Sequence, residues 1–255
     1  MQMAVEHTNA PAHSVAQPPI ERPIWWLQPL TVVVVLGGFA GYAFWSVVIA
    51  PVGYEFGNYL SPFYSPLIKL GFWPFSPAIL IAGFPLLFRA TCYYYRKAYY
   101  RSFFWDPPAC AIGEIGSTQS KAGYRGERRF PFYLLNFHRF FLYAALVVVA
   151  FLWVDALRAF VFDGRFGVAL GSLILGVNVV LLTAYTFSCH SLRHLVGGGV
   201  DCFSCSRARY SVWQMLSRIN PNHGFFAWLS LFSVVAADLY VRLLSAGVLH
   251  DVRFL

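Results

Sequence analysis

The stretch FGVALGSLILGVNVVLLTAYTFSCHSL, from Phe166 to Leu192, runs for 27 residues without an Asp, Glu, Lys or Arg. A helix needs about 20 mostly apolar residues to cross the hydrocarbon core of a bilayer, so this stretch reads as a membrane span. The same pattern recurs on both sides of it. Ile24 to Tyr54 carries no formal charge, with Leu30–Val48 as its apolar centre. Gly71 to Phe88 is also uncharged, and Ser76-Pro77 reads as an N-cap followed by a first-turn proline. Phe132–Ala156 has Arg139 near one end and Asp155 near the other, and Asn220-Pro221 is a second cap-plus-proline start, for a helix to Leu244. The expected fold is an all-α integral membrane protein, a five-transmembrane-helix bundle with spans at about 27–50, 74–94, 132–156, 166–192 and 221–244.

Composition agrees. The 255 residues are 58% hydrophobic, 19% aromatic and 12% charged, with a mean hydropathy of +0.56. Soluble domains are about 45–50% apolar and about 25% charged. A soluble enzyme, a nucleic-acid binder and a disordered chain are therefore excluded as classes. The net charge of +8 points to loops against an anionic leaflet and not to nucleic acid.

Lys and Arg gather at one side. The connection from Arg89 to Arg129 holds eight and that from Arg193 to Arg218 holds four; with Arg22 and Arg139 they make 14 of the 19. Basic loops face the cytoplasm, which puts the N-terminus and the loops at about 95–131 and 193–219 inside and the C-terminus outside. Residues 1–23, rich in Pro, Ala, Gln and His, read as a disordered cytoplasmic tail and not a signal peptide, ahead of a membrane domain over 24–255. No internal repeat is evident. Within the spans, Asp155/Arg158 (i,i+3) and Asp238/Arg242 (i,i+4) each share a helix face. A proton path and a neutralised pair are the two readings, the second favoured. Inverted repeats and mid-membrane helix breaks, which mark transporters, are not found.

Four histidines carry the chemical signal. His138 lies near the cytoplasmic end of span three, His190 and His194 close span four on one face, and His223 opens span five. Cys189 adjoins His190, Cys202 and Cys205 form a C-x-x-C, and Cys110 lies in the earlier loop. Two thiolates and two imidazoles are the ligand set of a Rieske-type [2Fe–2S] cluster. Bis-histidine haem b is the rival, and the C-x-x-C alone fits a zinc half-site or two unpaired thiols; disulfides are not expected at a cytoplasmic end. Cys92 reads as a small core residue. For a quinone, Arg139, Arg193, Tyr210 and Trp213 are polar or amphipathic groups near the same interface, where Tyr and Trp are also common as anchors.

Tyr93-Tyr94-Tyr95-Arg96-Lys97-Ala98-Tyr99-Tyr100-Arg101, Pro107-Pro108-Ala109-Cys110 and Ser188-Cys189-His190-Ser191-Leu192-Arg193-His194, together with Asn136-Phe137-His138-Arg139 and Asn220-x-x-His223, resemble the membrane-anchor subunit of the actinobacterial-type succinate dehydrogenases, which are succinate:quinone oxidoreductases. The resemblance covers Trp25 to the C-terminus. It implies a chain without a succinate site, in a bacterial cytoplasmic membrane, that docks an iron–sulfur subunit and a flavoprotein subunit. Electrons would pass to menaquinone or ubiquinone through a Rieske-type cluster; a higher oligomer stays open. The family stretch reads C-H-S-C-R-H, and here Leu192 stands at the second cysteine position. Three readings follow: Cys110 and Cys189 with two of His138, His190, His194 and His223, which is favoured; Cys202 or Cys205 as substitute ligands; or haem b in place of the cluster. A structural assembly subunit without a redox centre is the reading from another class.

Overall fold

With no water in the hydrocarbon core, a spanning segment must pair its own backbone N–H and C=O groups, and the apolar stretches fold as helices for that reason. The computed structural model describes residues 24–105, 128 and 132–255. Its helices are α1 (Leu27–Phe44), α2 (Ile79–Thr91), α3 (Tyr93–Phe103), α4 (His138–Arg158), α5 (Leu170–Phe187), α6 (His190–Gly197), α7 (Arg207–Ile219) and α8 (His223–Ser245). Four helical runs among the described residues are long and apolar enough to cross a membrane: Leu27–Ile49, Tyr133–Arg158, Leu170–Phe187 and Arg207–Ser245, the last joining α7 to α8. Large apolar side chains such as Val34, Phe140, Val177 and Phe232 point outward, as a lipid-facing surface requires.

The second expected span is shorter than the sequence suggests. α2 has 13 residues, about 20 Å at about 1.5 Å per residue, against a hydrocarbon core of about 30 Å. It begins at Ile79 and not at Ser76-Pro77, and its N-cap, Ala78, makes no side-chain hydrogen bond. It stops at Thr91 because Cys92 is extended (φ −61°, ψ 131°), and α3 starts immediately after. Asn220 does not cap α8 either; its Nδ2 donates to the Ser188 carbonyl at 2.8 Å and ties α8 to the end of α5. The tail 1–23 and most of the loop at 95–131, Cys110 included, lie outside the described residues.

At one end of the bundle sit the α2/α3 junction, the start of α4, the α5/α6 junction, α7 and the start of α8. At the other end, two short antiparallel hairpins, β1 (Glu55–Phe56) with β2 (Tyr59–Leu60) and β3 (Val161–Phe162) with β4 (Arg165–Phe166), turn the chain between helices. The C-terminal residues pair there with the start of α5, Leu170 N donating to Val252 O at 2.9 Å and Phe254 N to Val168 O at 2.8 Å.

That second end is braced by Asp238. Its carboxylate is fully buried in α8 and accepts from Tyr42 Oη at 2.6 Å, Ser46 Oγ at 3.0 Å, Ser61 Oγ and Arg242 Nε at 2.9 Å. Arg242 donates onward to the carbonyls of Ser46 (2.8 Å), Ala50 (2.9 Å) and Val52 (2.6 Å). One ion pair thus fastens α8 to the end of α1 and the chain after it. The other pair, Asp155/Arg158, is a 3.7 Å contact with the arginine 73% exposed. Removing one member of a buried pair leaves an uncompensated charge at a cost of about 3–5 kcal/mol. Asp238→Ala is expected to lower stability by about that much, whereas Lys69→Ala, which breaks only the exposed Lys69–Glu55 pair, is expected to leave it unchanged. Thermal unfolding of the purified protein in detergent checks both.

Candidate functional site

Two helix breaks build the site, and they are copies of one another. Phe88-Arg89-Ala90-Thr91-Cys92 closes α2, and Tyr185-Thr186-Phe187-Ser188-Cys189 closes α5. In each the cysteine adopts the same extended conformation, φ −61° and ψ 131° at Cys92 and φ −64° and ψ 134° at Cys189, and a new helix follows at once. An aromatic ring stands four residues before each cysteine and a hydroxyl one residue before.

Each break receives one histidine from the first position of a later helix. His138, opening α4, lies flat on the Phe88 ring (4.9 Å, 4°), with Nδ1 2.9 Å from Thr91 Oγ1 and Nε2 3.2 Å from Cys189 Sγ. His223, opening α8, lies on the Tyr185 ring (5.0 Å, 16°), with Nδ1 2.8 Å from Ser188 Oγ and Nε2 3.3 Å from Cys92 Sγ. Each imidazole is therefore held by the ring and hydroxyl of one break and turned toward the sulfur of the other. Backbone proximity makes room for this. A Cβ on Gly224, next to His223, would lie 2.6 Å from the Tyr94 ring, which packs against α8 there.

Cys92 and Cys189 are free and buried, packed in the same apolar cluster as Phe88, Tyr95 and Tyr185. No three His, Cys, Asp or Glu side chains among the described residues converge as a single metal ion requires. What converges is two pairs, each a sulfur and an imidazole nitrogen.

The remaining sequence candidates lie elsewhere. His190 and His194 are exposed on α6 with ring centroids 6.4 Å apart, and His194 Nδ1 is 3.2 Å from Arg139 Nη2. Arg193 lies over the Trp213 ring at 5.2 Å, Trp213 stacks on Tyr210 (6.1 Å, 16°), and Phe203 packs on both. The four groups singled out for a quinone thus sit around the α6–α7 hairpin and the start of α4, beside the cysteine–histidine cluster and not in it. Cys202 and Cys205 are bonded to each other as a disulfide, their Cα atoms 5.6 Å apart across a short turn. The two sulfurs are set against each other, where the sequence suggested unpaired thiols or alternative ligands. Leu192 is a buried core residue packed with Cys92 and Cys189. Cys92 was read as a small core residue because it lies within the expected second span. The signal available was the spacing it shares with Tyr185–Cys189, the repeat that a search for longer self-similarity passes over.

Phe88, Arg89, Tyr185 and Thr186 also line an almost wholly apolar cavity of about 490 Å³, together with residues such as Phe39 of α1, Val47 just after it, Pro85 of α2 and Leu152 of α4. One aromatic ring separates it from each histidine of the site. Among the described residues, the only charged side chain on its wall is Arg89.

Residues 27–247 match the model of the family described as actinobacterial succinate dehydrogenase subunit SdhC. No curated protein matches the chain. Among solved structures, a chain of the Mycobacterium smegmatis Sdh1 complex in the apo form is similar at 39% identity and a TM-score of 0.81, over 96% of this chain and 98% of that one. With four apolar helices long enough to span and a family match over most of its length, the chain is a multi-pass membrane protein, and it belongs to the SdhC family of actinobacterial succinate dehydrogenase subunits.

Proposed function

We propose that this chain carries electrons from the soluble subunits of a succinate dehydrogenase to a membrane quinone, and that Cys92, Cys189, His138 and His223 hold a Rieske-type [2Fe–2S] cluster on the way. The observation that supports the reading is the cross-paired set of two sulfurs and two imidazoles. A two-iron centre of this class takes two cysteines on one iron and two histidines on the other. The donor types match that set. Nδ1 of each imidazole is engaged by a hydroxyl, as outer-shell partners of metal-bound histidine normally do, leaving Nε2 as the nitrogen turned to the site. Helix starts and stacked aromatic rings fix both imidazoles in place, and burial keeps water from the sulfurs. Bound there, such a cluster supplies one-electron transfer at a potential raised by its histidines. A cysteine sulfur beside each Nε2 favours the cluster over the haem b reading.

The apolar cavity suits a hydrophobic quinone, because its walls accept an isoprenoid tail and one end lies against Phe88 and Tyr185. Basic loops at the cysteine–histidine end support placing that end at the cytoplasm, where an iron–sulfur subunit and a flavoprotein subunit would dock. The short α2 supplies the fifth crossing in this reading, and the membrane is the bacterial cytoplasmic membrane.

His138→Ala and His223→Ala are each expected to abolish the [2Fe–2S] EPR signal of the purified complex and quinone reduction, while succinate oxidation with a soluble acceptor survives. His190→Ala and His194→Ala are expected to keep the signal. A strong Soret band in the wild-type complex would instead assign the histidines to haem. The double variant Cys202→Ser/Cys205→Ser is expected to retain full cluster content by iron analysis; loss of the cluster there returns those cysteines to the ligand set.

A further inference from the structure

The matched breaks differ in charge at one position. Phe88, Ala90, Thr91 and Cys92 face Tyr185, Phe187, Ser188 and Cys189 with neutral side chains on both sides, but Arg89 stands where the other half has Thr186. Thr186 does only local work, its hydroxyl donating to the Leu182 carbonyl at 2.8 Å. Arg89 is 8% exposed. Nη1 donates to Tyr95 Oη at 2.7 Å and to the Ala227 carbonyl at 3.2 Å, and Nη2 to Ser230 Oγ at 2.9 Å. Every one of these acceptors is neutral. Ion pairs among the described residues involve Glu55, Asp155 and Asp238, none of them with Arg89. A buried cation is costly unless a counter-charge compensates it, and here neutral oxygens and rings do the holding.

The position of the charge shows what it acts on. The guanidinium lies 4.6 Å over the Tyr185 ring, and His223 stacks on the same ring at 5.0 Å between centroids. Cys92 is three residues along the chain. The cation therefore shares one ring contact with an imidazole of the site and is close in the chain to one sulfur. Read along the sequence, Arg89 counts with the basic loop; its burial in α2 removes it from any role at the surface.

We propose that Arg89 is a positioning residue whose uncompensated charge raises the reduction potential of the centre held by Cys92, Cys189, His138 and His223. The inference rests on the cluster reading above. Reduction of a [2Fe–2S] centre adds one electron and, when no proton follows, one negative charge. A fixed cation close by in a low-dielectric interior stabilises that reduced form over the oxidised one. Arg89 thus acts through the field at the ligands, with no bond to them, and makes the centre a better acceptor for an electron from the soluble subunits.

The test is a mediator titration of the purified complex followed by EPR, in wild type and in Arg89→Gln, Arg89→Lys and Ser230→Asp. Arg89→Gln removes the charge and is expected to lower the equilibrium constant for reduction about tenfold or more, about 59 mV for one electron. Arg89→Lys keeps the charge and is expected to hold the wild-type potential. Ser230→Asp sets a carboxylate against the intact guanidinium and is expected to lower the potential in the same direction as Arg89→Gln. A purely structural arginine would not separate the lysine from the glutamine variant at equal spin content. An unchanged potential in Arg89→Gln with the signal intact overturns the proposal, as does an equal fall in Arg89→Lys. If Arg89→Gln fails to assemble, Ser230→Asp decides alone, an unchanged potential overturning it. A wild-type complex without the EPR signal overturns the cluster reading together with this inference, an outcome distinct from the others.

Discussion

Each histidine of the site is gripped by one helix break and aimed at the sulfur of the other. Because His138 leans on Phe88 and Thr91 yet reaches Cys189, and His223 leans on Tyr185 and Ser188 yet reaches Cys92, neither half can place its own pair alone. α2, α4, α5 and α8 must come together at one level before any of the four contacts exists. The architecture at that end follows from the need. α2 and α5 stop abruptly at cysteines in extended conformation, and α4 and α8 start with histidine.

The opposite end solves a different problem by a different means. There the chain turns through two-residue strands that offer little packing, and a buried carboxylate gathers the loose ends. Asp238 and Arg242 satisfy one another and collect hydroxyls and carbonyls from α1 and the segment after it. The cost of burying two charges is offset only because almost every donor and acceptor finds a partner. The two ends treat buried charge in opposite ways: Asp238 and Arg242 cancel, whereas Arg89 beside the cysteine–histidine site has no carboxylate against it among the described residues. A membrane interior amplifies that contrast, since little solvent is present to screen it.

The long apolar stretches, the basic bias of the connecting segments and the family resemblance were all legible in one dimension, because a bilayer demands continuous apolar runs that local composition reveals. Three apolar helical runs lie within a few residues of expected spans, and the expected last span falls within the longer run Arg207–Ser245. The second was overextended: its capping signal at Ser76-Pro77 was real chemistry in the wrong place, and nothing local announces that Cys92 ends the helix by turning to extended backbone. His138, His223 and Cys189 were identified as candidates because polar groups at one depth stand out against apolar sequence. His190 and His194 stood out equally, and i,i+4 spacing places two rings on one face without saying whether that face looks inward.

By itself, then, the sequence determined the class of molecule, the level at which its chemistry gathers and the residue types available there, since these depend on hydrophobicity and charge read along the chain. Tertiary structure alone decided the partners. Cys92 joined the site, Cys202 and Cys205 closed on each other, and Arg89 moved from a surface loop to the wall of a buried cavity. Pairings between residues 131 and 192 positions apart, Cys92 with His223 and Ser46 with Asp238, depend on which helix faces meet, and that is a property of packing that no local pattern encodes.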